Sequence, residues 1–133
     1  MKSLFSVLLG VVVWLAVSSC ATTTPLGEGE LRLLRIDVPE NGNLILGHDY
    51  RFNIRFEADG NPDIVRAVCI CGDSPPQSYK IEDLRYGTRG NFGIYIFPYS
   101  DGSQRLECYA IYLKDGKRLR SNSVFALIYG MIR

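Results

Sequence analysis

Tyr50-Arg51-Phe52-Asn53-Ile54-Arg55-Phe56 alternates apolar and polar residues without a fault. Successive side chains of an extended chain point to opposite faces, so Tyr50, Phe52, Ile54 and Phe56 share one buried face. Upstream, Leu34-Arg35-Ile36-Asp37-Val38 alternates in the same way. Leu33-Leu34 breaks the phase, which predicts a bulge or a strand that switches sheets. Pro39 and Glu40-Asn41-Gly42-Asn43 end that strand.

Downstream, Ala58-Asp59-Gly60-Asn61-Pro62-Asp63 is a turn cluster. Residues 64–71 form the next strand, apolar enough for a central position, and Gly72-Asp73-Ser74-Pro75-Pro76 stops it. Residues 78–84 read as a short edge strand, and 85–91 as a loop holding Gly87 and Gly90. Residues 92–97 are a strand with Ile94 and Ile96 on one face and Tyr95 and Phe97 on the other. The chain turns over 98–103. Residues 106–113 and 119–129 then make a hairpin around Lys114-Asp115-Gly116-Lys117, because Asp-Gly supplies the two positive φ angles of a tight hairpin turn. No helical period, internal repeat or low-complexity block interrupts the strands. About seven short strands in about 100 residues, with turn signals at this spacing, predict an all-β sandwich of antiparallel strands.

The first twenty residues have a different character. Met1-Lys2 is basic, residues 4–17 are almost wholly apolar, and Val17-Ser18-Ser19-Cys20 follows. That order is a secretory signal, and its apolar run is shorter than the about 20 residues of a bilayer span. Val17-Ser18-Ser19-Cys20 resembles the lipobox of bacterial lipoproteins. The resemblance implies a diacylglyceryl group on the Cys20 thiol, cleavage before Cys20 and acylation of the new amine. Two or three acyl chains hold a protein firmly, at about 0.8 kcal/mol per buried CH₂. An ordinary signal peptide with an incidental cysteine is the plainer alternative. Ala21, not Asp, follows Cys20. In enterobacterial lipoproteins Asp there retains the protein at the inner membrane, so its absence favours the outer membrane, on its periplasmic or surface face.

The chain thus divides into a signal peptide (1–19), a lipidated Cys20 with a tether (20–30), and a sandwich (31–133). Ala21-Thr22-Thr23-Thr24-Pro25-Leu26-Gly27-Glu28-Gly29-Glu30 has almost nothing to bury and reads as flexible. The rest is long enough for one domain, and its composition, 47% hydrophobic and 22% charged, is that of a globular protein. Of 15 basic residues only Lys2 lies in the signal, and all 14 acidic residues follow it, so the mature part is formally neutral. Such a balance argues against a nucleic-acid partner.

The last hairpin, with Leu106-Glu107-Cys108-Tyr109-Ala110, looks like the F and G strands of bacterial immunoglobulin-like and fibronectin III-like domains. No Tyr stands two residues before Cys108, and the strand over 64–71 has no Trp. The resemblance implies an immunoglobulin-like β-sandwich in which strands C (64–71) and F are antiparallel neighbours, so Cys108 reaches Cys69 or Cys71. An exported compartment favours oxidation. Cys71–Cys108 is the expected disulfide, because it leaves Cys69 as a buried mid-strand thiol, and Cys69 is the alternative partner.

Chemistry is sparse. His48, the only histidine, lies in Leu46-Gly47-His48-Asp49 at a loop-to-strand boundary and is expected to be an exposed turn residue. A nucleophile site would have to use it. Gly87-Thr88-Arg89-Gly90-Asn91-Phe92-Gly93 precedes a strand and lacks the Lys-Ser/Thr of a phosphate loop. Cys69-x-Cys71 with Cys108 and His48 lacks the spacing of a zinc knuckle, so no metal or other cofactor is expected. Tyr79, Tyr86, Tyr95, Phe97 and Tyr99, with Arg66, Arg85 and Arg89, either form a face for glycan or protein or only cap the sandwich rim.

These readings lead to a non-catalytic binding or structural module, held at the cell envelope by its N-terminal lipid. Its partner would be an envelope protein or a glycan. The immunoglobulin-like order puts loops 58–63 and 114–117 at the tether end. Loops 40–47, 71–78 and 99–104 lie at the opposite end, so Tyr99, Pro76 and His48 become the candidate contact residues. A peptidase or lysozyme inhibitor is the first alternative, although neither the Asn-Pro-Thr-Thr-Gly nor the Ser-Gly-Ala-Arg-Tyr type of inhibitor loop occurs. A small hydrolase is the second.

Overall fold

A computed structural model describes residues 24–132. Two sheets face each other across a single core. The first has the order β1 (Leu31–Asp37), β3 (Tyr50–Ala58), β7 (Gly90–Ile96), β6 (Glu82–Arg85). The second runs β2 (Asn43–Ile45), β10 (Val124–Met131), β8 (Gly102–Lys114), β4 (Asp63–Cys71), β5 (Gln77–Tyr79), and β9 (Lys117–Arg120) also pairs with β8. The first order is A-B-E-D and the second holds G, F and C side by side, which is the immunoglobulin-like arrangement. Ten strands replace the expected seven for three reasons. A short β2 pairs parallel to the end of β10. The expected edge strand divides at Lys80, β5 joining one sheet and β6 the other. The last strand breaks into β9 and β10 around residues 121–123.

β3 carries the alternation into the core: Phe52, Ile54 and Phe56 are buried, against Phe92, Ile94 and Ile96 of β7. Burying a Phe or Ile side chain contributes about 1.5–3 kcal/mol. Gly90 faces Phe56 across that pairing, and a Cβ there would lie 2.5 Å from the ring, so only glycine fits. On the outer face of this sheet four arginines pair with carboxylates, three of them across strands and Arg35 within β1, while Arg85 of β6 has no ion pair among the described residues. Arg32 pairs with Glu57 at 2.7 Å, Arg55 with Asp37 at 2.7 Å, Arg35 with Asp37 at 3.0 Å, and Arg51 with Asp83. Burial pushes the Asp37 carboxyl up, but hydrogen bonds from Arg55 and Asn53 and the charges of Arg55 and Arg35 outweigh it and hold the group below its ordinary value.

The phase break at Leu33-Leu34 is a bulge, as the register of β1 on β3 shifts between Leu33 and Arg35. Its free backbone groups find a side chain. The Leu33 N–H donates to Asn122 Oδ1 at 2.8 Å and Asn122 Nδ2 donates to the Leu33 carbonyl at 2.9 Å. Asn122 lies in the break between β9 and β10. There Ser121 is buried, its N–H donates to the Ala110 carbonyl, and its Oγ accepts from the Ala110 N–H at 2.8 Å. The Asp115-Gly116 turn has positive φ at both residues, 52° and 74°.

Candidate functional site

Strand polarity sets the two ends. β1 begins at Leu31 opposite Ala58. The Asp59 N–H donates to the Glu30 carbonyl, and the Gly29 N–H donates to Asp59 Oδ2 at 3.0 Å. The chain is therefore tied to the sandwich from Gly29, earlier than the Leu31 expected from composition, and it enters beside loops 58–63 and 114–117. The start of β3 at Tyr50, the end of β4 at Cys71, the start of β8 at Gly102 and the end of β10 at Met131 lie at the opposite, distal end.

The distal loops are packed together. The Leu46 N–H donates to the Met131 carbonyl at 2.9 Å, the Gly47 N–H to the Pro98 carbonyl at 3.3 Å, and the Gly72 N–H to the Arg105 carbonyl at 2.9 Å. Gly130 passes so close under the Ser100 carbonyl that no Cβ fits there. Between these loops lies a cleft of about 20 Å³, lined by Cys71, Pro75, Gln77, Tyr79, Phe97, Tyr99 and Gln104 among others. That is room for about one water molecule. Small-molecule sites enclose about 300–1,000 Å³, so this cleft is smaller than a site that encloses a whole ligand. Shallow hollows of about 470 and 440 Å³ flank it, one lined by Asp73, Ser103 and Arg105, the other by Asp101, Tyr129 and Ile132.

The cleft's polar groups form a relay. Tyr79 Oη donates to Gln77 Oε1 at 3.2 Å, and Gln77 Nε2 donates to Tyr99 Oη at 3.3 Å. The Cys71 thiol donates to Gln104 Oε1 at 2.7 Å. Burial pushes the Cys71 thiol up, and burial with the neighbouring Tyr99 and Cys71 pushes the Tyr79 phenol up, so both stay protonated near neutral pH.

The cysteine pairing corrects the expectation. The disulfide joins Cys69 to Cys108, and Cys71 is the free thiol. β4 pairs with β8 so that Cys69 lies directly opposite Cys108, with Cα atoms 4.2 Å apart, while Cys71 lies opposite Leu106. The leftover thiol is thus half-buried at the cleft, not buried mid-strand.

Tyr99 is exposed at the cleft, and Pro76 is exposed on the same loop as Pro75, one residue outside the lining. His48 is exposed in the turn after β2 and lines none of these hollows. Among the described residues no three His, Cys, Asp or Glu side chains gather as a metal site. The five aromatics do not form one face. Phe97 and Tyr99 are exposed at the distal end and Tyr79 supports them, whereas Tyr95 is exposed on the first sheet. Tyr86 caps the other rim, meeting the Phe56 ring edge-on at 5.8 Å and donating to the Pro62 carbonyl. Gln77 and Gln104 were not foreseen, since a lone glutamine in a strand carries no sequence signal. Cys20 and its lipobox lie outside the described residues.

No protein-family model matches the chain, and no curated protein does. Among solved structures it is similar to the CARDB domain of a Pyrococcus furiosus protein determined in complex with di-metal ions. That match has a TM-score of 0.47 and 9% identity, and covers 81% of this chain and 95% of the other. Another is AvmM, described as catalysing macrocyclization in alchivemycin A biosynthesis, with a TM-score of 0.37 and 8% identity, covering 75% and 89% of the two chains.

Proposed function

We propose that the chain is a lipid-anchored, non-catalytic binding module of the cell envelope, resident at the outer membrane, and that its distal loops contact a protein or glycan partner. The observation that carries this is the group of Pro75, Phe97 and Tyr99 around a cleft too small to hold a substrate, at the end remote from the tether. Aromatic rings on short, mutually hydrogen-bonded loops are ordered before binding, which lowers the entropic cost of association. Tyr adds a hydrogen-bonding hydroxyl to a flat apolar face, suited to a protein side chain or a sugar ring.

The test is partner capture from envelope extracts with three variants of the lipidated protein. Tyr99→Ala and Pro76→Ala should lower capture, Tyr99→Ala by about tenfold if it is an interface anchor. The Lys114→Ala/Lys117→Ala pair at the tether end should leave it unchanged. Loss of capture by the lysine pair alone would place the contact at the wrong end.

A further inference from the structure

The two outer faces of the sandwich differ in kind. On the first sheet Arg32, Arg35, Arg51 and Arg55 each hold a carboxylate. On the second sheet the register places Arg66, Arg105, Arg118 and Arg120 on the outer face. Of these only Arg120 has a carboxylate within ion-pair distance among the described residues, Glu107 at 3.7 Å, and Glu107 also accepts from Ser123. The other acidic group that the strand register places on this face, Asp63, lies at its tether end opposite Leu113, and Asp73 and Asp101 border it at the distal end.

Apolar side chains fill the space between the arginines. β10 is apolar on both sides. Val124 and Ile128 enter the core, while Phe125, Leu127 and Tyr129 point outward at 49%, 72% and 49% exposure. Arg105 stacks on Phe125 at 4.1 Å and Arg120 on Tyr109 at 3.7 Å. A strand apolar on both faces is the pattern of a strand covered on both faces. Unpaired arginines interleaved with aromatic and aliphatic groups match a surface with phosphate charges above and hydrocarbon below. The tether enters at the end of this face, where Gly29 rests against the Lys114 side chain of the β8–β9 turn.

We infer that the outer face of the second sheet lies on an anionic lipid surface, with Phe125, Leu127 and Tyr129 in the interfacial layer and Arg66, Arg105 and Arg118 on headgroup phosphates. This contact is independent of acylation at Cys20. It would turn the sandwich on its side, so that the distal loops project along the membrane.

The chain from Thr24 onward holds both sheets and every core residue described, and it carries no lipid. It should co-sediment with phosphatidylglycerol vesicles and not with phosphatidylcholine vesicles, and release as salt is raised from about 0.05 to 0.5 M. Each headgroup arginine is worth about fivefold in partition. Arg66→Gln/Arg118→Gln should therefore lower binding by roughly 25-fold, and Leu127→Ser, at an exposed position, should lower it too. Arg32→Gln/Arg35→Gln on the first sheet should not. Equal binding to both vesicle types, or equal loss from the first-sheet pair, overturns the proposal. So does a dimer in solution that Leu127→Ser dissociates while vesicles bind no protein, which would make a second copy the occupant. Failure of Tyr99→Ala to alter partner capture bears only on the distal-loop reading.

Discussion

At Cys71 a half-buried thiol donates to Gln104 two residues beyond a disulfide that closes a 39-residue separation. The two sulfur positions have opposite expected consequences. Losing a crosslink of that loop length costs about 3–4 kcal/mol, so Cys108→Ala should lower the unfolding free energy by that amount, seen as a lower urea midpoint. Cys71→Ala removes one hydrogen bond at a half-buried position and should cost about 1 kcal/mol. Mass mapping of oxidised protein should find one reactive thiol in the mature domain, Cys71. Burial raises its pKa and depletes thiolate, so alkylation should be slower in the folded than in the urea-unfolded chain and should go on rising above pH 9.0, where the rate of the unfolded chain levels off. Labelling at Cys69 would contradict the pairing.

Two irregular elements lock the sheets together. β1 bulges at Leu33 and the last strand breaks at residues 121–123, and Asn122 spans the gap with both ends of its amide on the Leu33 backbone. Removing that amide leaves a donor and an acceptor of a buried residue to water alone. Asn122→Ala should cost about 1–2 kcal/mol, seen as a lower urea midpoint with an unchanged slope. Asn122→Asp keeps the acceptor for the Leu33 N–H and loses the donor, so it should fall between wild type and alanine. A neutral alanine variant would show that the two defects are independent.

Across the whole molecule, three sites lie at different places on one rigid sandwich: the N-terminal entry by Asp59, the aromatic loops at the far end, and the arginine-rich face of the second sheet. The proposed lipidation at Cys20 lies on the N-terminal side of the first. Cys20→Ala should leave an unprocessed precursor and abolish labelling by a palmitate analogue. Maturation of that variant to the wild-type mass would refute the lipobox reading, while leaving the vesicle binding of the unlipidated domain as a separate question.

A period-two alternation is a local property, so the all-β class, the inward face of β3, the division of β7 into two faces, the irregularity at Leu33 and the Asp115-Gly116 hairpin were already determined by the amino-acid sequence, while the choice at Leu33 between a bulge and a change of sheet was made by the pairing of β1 with β3. The exposed turn at His48 was legible for the same reason. Register was not, because it depends on where a distant strand lies. Cys69 and Cys71 have the same phase, and a two-residue slide along β8 would have put Cys71 opposite Cys108 with the same faces inward; the paired strands, with an extra residue between Ile64 and Arg66, chose Cys69. Nor could alternation say which side of β10 is buried, since both are apolar. Only packing of Val124 and Ile128 against the core turned Phe125, Leu127 and Tyr129 outward, and so decided where the apolar, arginine-bordered face lies.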